Sequence, residues 1–294
     1  MPNLVSLTVK QIKSDLAGYS QIAELAANLE RIKFSDIKLD MRQMGWCDGN
    51  MCAPLGAIFY RAGRDLNNLE LSDIPSDVEK LFCKNGFLTN YGRARLTDTY
   101  GSTIQYRRFE PQEDRVFSYY LDEHFRNKAI PEMSKGLHKK FLEGLMEIFS
   151  NAVIHSETKM GIFVCGQYFH KQHRLDFTIT DLGIGIRQNL LDKIELKLSA
   201  DQAINWAMEG NNTTKHGRIP GGLGLKLLRE FMRLNHGKLQ IISDAGYWEQ
   251  NPDGSKQMET LSHRFPGTVV NIEINTADQN SYILSSEKEM NLPF

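Results

Sequence analysis

The stretch "FLEGLMEIFSNAVIHSE", residues 141–157, constrains the fold of this chain most. Leu142, Leu145, Met146, Ile148, Phe149, Ala152 and Val153 cover most of a helix circumference with apolar groups. A helix that apolar must pack against a sheet. Side chains four apart lie one above the other on a helix, so Glu147, Asn151 and His155 form one ridge. Unpaired buried polar groups cost about 1–3 kcal/mol each, so the ridge needs partners or a wet cleft. Taken alone, the stretch reads as the solvent-facing edge of an amphipathic helix.

The rest of the chain supplies the sheets. In the first third, "LVSLTVK", "DIKLDM" and "NLELSDIP" read as strands. They alternate with helices at "YSQIAELAANLERI", at "APLGAIFYRAGRDL", opened by Pro54, and at "SDVEKLFCKNGFL". Such alternation predicts an α/β layer fold. Residues 88–112 lack helical spacing and read as strands or a connecting hairpin, with a domain boundary near residue 105. A length of 294 residues fits two domains better than one core. Further on, "QEDRVFSYYLDEHF" reads as a helix, and the long helix runs from Leu137 to His155. "MGIFVCGQYFH" and "RLDFTITD" make a hairpin with Leu175, Phe177 and Ile179 on one face. "LGLKLLREFMRLNHG" is a helix capped by Gly237, and "KLQIIS" and "GTVVNIEI" are strands. Helices over a largely antiparallel sheet predict a two-layer α/β sandwich for this second part.

Composition narrows the partners. The formal net charge is −1, so no overall basic field is available to hold a nucleic-acid backbone, and no nucleic-acid partner is expected. No apolar run is long enough to span a bilayer, and the first residues do not read as a secretory signal. Cys47, Cys52, Cys83 and Cys165 form no CxxC pair, and with eight scattered histidines they give no zinc pattern. They read as reduced thiols of a cytoplasmic protein.

Three further strings join the ridge. "TITDLGIGI" sets Asp181 at the end of an apolar strand, followed by Gly183 and Gly185. A carboxylate there can accept from an exocyclic amine, and glycines let a flat ring approach the backbone. A tight turn after a strand accounts for the same residues. "PGGLGLKLL" leads Gly221, Gly222 and Gly224 into a helix, whose free N–H groups suit a phosphate. It is neither a P-loop nor a dinucleotide fingerprint, since the G-K-[ST] ending is missing and Gln188 and Leu227 stand where a final glycine would be required. "PGTVVNIEI" sets Thr268 at the start of a core strand.

In this order, Glu-x-x-x-Asn-Ala-x-x-His, Asp-x-Gly-x-Gly, Gly-Gly-Leu-Gly-Leu and Gly-Thr resemble the GHKL ATPase superfamily, over about residues 113–275. The resemblance implies a Bergerat-type fold for residues 106–294 and binding of ATP with Mg²⁺. It implies that Asn151 binds the metal and Asp181 the adenine amino group. Gly183 and Gly185 would border the base, Gly221, Gly222, Leu223 and Gly224 would meet the phosphates, Thr268 would support the Asp181 end, and His155 would line the pocket. Residues from about 187 to 222 would form a lid, with Thr213, Thr214, Lys215 and Arg218 in it. Lid closure comes with dimerisation in relatives, so a homodimer is an open expectation.

Glu147 stands where the ATP-hydrolysing members and the anti-sigma serine kinases carry their general base. The expected function is ATP hydrolysis that regulates interaction with a protein partner. The alternatives are a serine/threonine protein kinase of the anti-sigma type and a non-catalytic ATP-dependent switch. Histidine autophosphorylation is not expected, because "SKGLHKKF" around His138 lacks the usual acidic neighbour. Residues 1–105 resemble a STAS-type regulatory domain, but Asp48, Gly49, Asn50 and Met51 stand where an acceptor serine would open the helix. A generic α/β interaction domain accounts for the same alternation.

Overall fold

The computed structural model describes residues 3–125, 130–209, 223–284 and 287, with the side chains of 223–225 outside the description. The first part contains β1 (Asn3–Thr8), α1 (Leu16–Glu30), β2 (Ser35–Asp40), α2 (Cys52–Arg64), β3 (Asn68–Ser72) and α3 (Ser76–Lys84). Asp15 opens α1 by accepting a hydrogen bond from the Gly18 N–H at 2.8 Å. The three strands form a parallel sheet in chain order, with Val5 opposite Ile37 and Ile37 opposite Leu69. Right-handed crossovers between strands laid in that order put α1 and α2 on one face.

The second part contains β4 (Thr103–Phe109), α4 (Asp114–Phe125), α5 (Lys135–His155), β5 (Ile162–Phe169) and β6 (Arg174–Asp181). It continues with α6 (Gly185–Ile194), α7 (Ala200–Met208), α8 (Leu223–Leu234), β7 (Lys238–Gln250) and β8 (Lys256–Asn275). Its sheet is antiparallel, in the order β4-β5-β6-β8-β7. The protein is thus mixed α/β, with one parallel and one antiparallel sheet. Residue 105 lies inside β4, so the expected boundary falls within a strand of the second sheet. Among the described residues no helix is long and apolar enough to cross a membrane.

One face of the five-stranded sheet carries α4, α5 and α8. Phe117 and Phe149 stack there at 4.4 Å, and Phe141 meets Phe231 at 5.6 Å. The expected two-layer sandwich leaves the other face open. Instead, α1 and α2 cover it: Leu25, Ile58, Phe163, Cys165 and Val269 share one core, and Tyr19 faces Tyr247 at 6.1 Å. Both helices are apolar on two sides, so they lie between the two sheets.

Several polar side chains of that covered face bond to the first part of the chain, whereas the Asp176 carboxyl and the Thr180 hydroxyl have no hydrogen-bond partner among the described residues and Asp176 faces Arg174 at 3.6 Å. Asn50 Nδ2 donates to Ser14 Oγ at 2.9 Å, Thr178 Oγ1 at 3.0 Å and Asn271 Oδ1 at 3.1 Å. Asn271 donates in turn to Gln240 Oε1 at 2.9 Å. Asp48 accepts from the Ser14 N–H, from Trp46 Nε1 and, at 3.3 Å, from Arg174. Asp48, Gly49, Asn50 and Met51 are therefore buried in this seam.

Two local expectations need correction. Gly237 does not have the left-handed conformation of a helix cap; His236 has it, with φ 53°. Gly237 is small because a Cβ there would meet the Glu273 carbonyl oxygen at 2.4 Å. The last strands are also longer than "KLQIIS" and "GTVVNIEI". β7 and β8 extend into a hairpin that turns at Asn251–Ser255, with a register irregularity at Asp244.

Candidate nucleotide site

The long helix ends where the antiparallel sheet ends. Ile162, Asp181, Thr268 and Ser243 form one row across β5, β6, β8 and β7. The turn after Asp181 is fastened to the end of α5. The Ile184 N–H donates to the Ser156 carbonyl at 2.8 Å, and Asn189 Nδ2 donates to the His155 carbonyl at 3.0 Å. The Ser156 hydroxyl donates back to the Ala152 carbonyl, closing the last turn of the helix. On the far side, Ser243 Oγ accepts from the Ile186 N–H at 2.9 Å and lies 3.0 Å from Thr268 Oγ1.

The glycines serve this junction. A Cβ on Gly183 would lie 2.1 Å from the Ser156 carbonyl oxygen, so the close approach at this glycine is made by the helix end. Gly185 has φ 75°, which an L side chain rarely adopts. Gly267, with φ 152°, leaves room for the Asp181 carbonyl, which a Cβ would meet at 2.1 Å.

Asp181 itself is 4 % exposed, and its Oδ1 is buried with no hydrogen-bond partner. Burial pushes its carboxyl up to about 7, and the neighbouring Gly183 and Thr268 N–H groups offset part of that. Its Oδ1 remains an acceptor without a donor among the described residues. Such a group in a native fold calls for an explanation, and a ligand that brings an N–H is one.

Glu147, Asn151 and His155 are all half-buried on successive turns of α5. At 1.5 Å per residue they span about 12 Å along the helix, ending at the Asp181 junction. The Asn151 amide makes no hydrogen bond among the described residues. Among the described residues no cluster of three or more His, Cys, Asp or Glu could hold a metal by itself. A hard cation held here would rely on one side-chain oxygen, water and substrate oxygens, as Mg²⁺ does.

The structure thus brings Asn151, His155, Asp181, Gly183, Gly185 and Thr268 to one end of the sheet, with Glu147 further back along α5. Leu223 and Gly224 begin α8, their surroundings undescribed, and Gly221 and Gly222 lie outside the described residues, as do Thr213, Thr214, Lys215 and Arg218. The earlier part of the expected lid is folded into the core. Ile204 and Met208 of α7 are buried, and Trp248 Nε1 donates to Asn205 Oδ1 at 3.2 Å. Ser156, Asn189 and Ser243 join the site without belonging to any of the four strings, whereas Gly267 is the glycine of the Gly-Thr string. Ser156 and Gly267 adjoin His155 and Thr268 in sequence, but Asn189 and Ser243 carry no local signal. Comparison with protein-family models and with curated proteins gives no match.

Proposed function

We propose that this protein binds Mg-ATP in the manner of the GHKL superfamily and hydrolyses it to regulate a protein partner. The observation that carries the reading is Asp181: a buried carboxyl with an orphaned oxygen at the point where β6, β8 and the end of α5 meet. The exocyclic amine of adenine supplies the donor that this oxygen lacks. Thr268 and Ser243 hold the strand row beneath it, and the carbonyls of His155 and Ser156 fix the turn beside it.

Asn151 offers a half-buried amide oxygen without a partner among the described residues, which suits a cation that takes few protein ligands. When bound, Mg²⁺ neutralises charge on the phosphates. Glu147, one helical turn before Asn151, has the carboxylate that would orient a water and take its proton. The covered sheet face gives a route from this site to a partner, since α1 and α2 pack directly on the strands that carry Asp181 and Thr268.

The test follows the γ-phosphate. With Mg²⁺ and γ-labelled ATP, the wild-type protein should release free phosphate. Glu147→Gln should bind ATP and lose release by at least about a hundredfold, the range general-base catalysis supplies. ATP bound without release by the wild type would contradict hydrolysis, and label transferred to a protein serine would make the chain a kinase instead.

A further inference from the structure

Ser243 is 1 % exposed, and its hydroxyl ties β7 to both α6 and β8. Its Oγ accepts from the Ile186 N–H at 2.9 Å and donates to the Gly267 carbonyl at 3.2 Å. It also lies 3.0 Å from Thr268 Oγ1, where either oxygen can be the donor. A serine hydroxyl has one proton and two lone pairs. Only one arrangement makes all three bonds. The Ser243 proton goes to Gly267, one lone pair takes the Ile186 N–H, and the other takes the Thr268 proton. Reversing the Ser243–Thr268 bond would strip the Gly267 carbonyl of that donor and leave a Ser243 lone pair empty. For a buried group the arrangement with more bonds made is the stable one.

That bond fixes what Thr268 offers a ligand. Its proton is held by Ser243, so the half-buried hydroxyl presents only lone pairs elsewhere. Thr268 is the direct cross-strand partner of both Asp181 and Ser243, so the three side chains share one face of the sheet. Direct antiparallel partners have Cβ atoms about 4.5–5.5 Å apart. Asp181, with its orphaned Oδ1, and Thr268 are therefore two acceptors side by side. A primary amine is the matching donor. With its N–H groups about 120° apart and hydrogen bonds of about 2.9 Å, the two acceptors it serves stand about 5 Å apart.

Resting on the nucleotide reading above, we propose that Ser243 is a specificity-determining residue that never touches the base. By holding the Thr268 proton it keeps Thr268 an acceptor, and Thr268 and Asp181 together take both protons of one exocyclic amine. Without the Ser243 hydroxyl, the Thr268 proton is free to turn to the Asp181 carboxylate, and the two acceptors are spent on each other.

The test compares Mg-ATP with the Mg²⁺ complex of purine riboside triphosphate, which carries hydrogen in place of the amine. Affinities are read by calorimetry on the full chain at pH 8, above the Asp181 value of about 7. The wild type should prefer ATP by at least about tenfold, the scale of a hydrogen bond to a charged group. Ser243→Ala should cut that preference at least about threefold, the scale of one neutral hydrogen bond. Thr268→Val should act in the same direction. Adding Ser243→Ala to Thr268→Val should change the preference no further, because Ser243 acts only through Thr268. A purely structural Ser243 would weaken both nucleotides alike and leave their ratio unchanged. Ser243→Cys, whose thiol is a weak donor and acceptor, replaces the alanine variant if that one does not fold, and should lower the ratio too. An unchanged ratio in the Ser243 variants, or a further drop in the double variant, would overturn the proposal and leave the ATP site standing. No preference for ATP in the wild type would overturn both the proposal and the reading of Asp181 on which it rests.

Discussion

Gly183 lies against Ser156 so closely that a Cβ would sit 2.1 Å from the Ser156 carbonyl oxygen. This contact joins the strand end bearing Asp181 to the helix bearing Asn151. Gly183→Ala should force the two apart and cost about 1–3 kcal/mol, as overpacking does. Gly63→Ala is the matched control. Its Cβ would meet nothing closer than Leu69 Cδ1 at 3.7 Å on helix α2, so it should stabilise by about 0.5–1 kcal/mol. Urea unfolding of both variants checks the contrast, and equal effects would contradict the packing described.

Asp181 should make ligand-free stability depend on pH. Its folded-state value is raised to about 7 by burial, whereas an unfolded aspartate titrates near about 3.9. Between those values the folded state holds the extra proton. Stability therefore falls as pH rises from about 4 to about 7, and levels off above that. Asp181→Asn should melt above the wild type by a margin that grows across this window. At about 1.4 kcal/mol per unit, the margin at pH 8 is on the order of a few kcal/mol. Thermal melts of the two proteins from pH 4 to 8 check it; a margin that does not change with pH would contradict the buried, orphaned carboxyl.

Asn50 should hold the two parts together. Its Nδ2 serves three oxygens, on Ser14, Thr178 and Asn271, all buried. Asn50→Leu should leave the Ser14 hydroxyl without its acceptor and take a donor from Thr178 Oγ1, while Asn271 Oδ1 keeps the Thr178 hydroxyl, and should cost about 1–3 kcal/mol. Asn50→Asp, which sets an anion against those oxygens, should cost more. Hydrogen exchange should then quicken in α1 and α2 more than in α5. Uniform exchange across the chain, or no change, would show that the seam is not the weak joint.

How far the sequence could be read follows from the same seam. α5 was legible because apolar residues surround its three polar ones, and the β5–β6 hairpin because Leu175, Phe177 and Ile179 alternate. Alternation misled on the opposite face. Asp176, Thr178, Gln240 and Asn271 look like a solvated face, yet all are 0 % exposed under α1 and α2. Polar side chains that pair with another layer carry the same pattern as side chains that face water, so the third layer was invisible. The extensions of β7 and β8 were missed because the irregularity at Asp244 breaks the alternation, although Asp253-Gly254 marks the turn. In the site, Asp181, Gly185 and Thr268 could be picked out by type and order. Asn189 and Ser243 could not, because their roles depend on distant carbonyl and amide groups that the turn brings to them.

Base selectivity tests the central claim most directly. A buried carboxylate that accepts from adenine's amine should meet the carbonyl oxygen of guanine as a repulsive partner. Calorimetric titration should show Mg-ATP binding at least about a hundredfold more tightly than Mg-GTP, because a site built around one hydrogen bond rejects a ligand that cannot make it. Asp181→Asn should erase most of that preference. Equal affinity of the wild type for the two nucleotides, or none for Mg-ATP, would contradict the assignment of Asp181 and with it the proposed function.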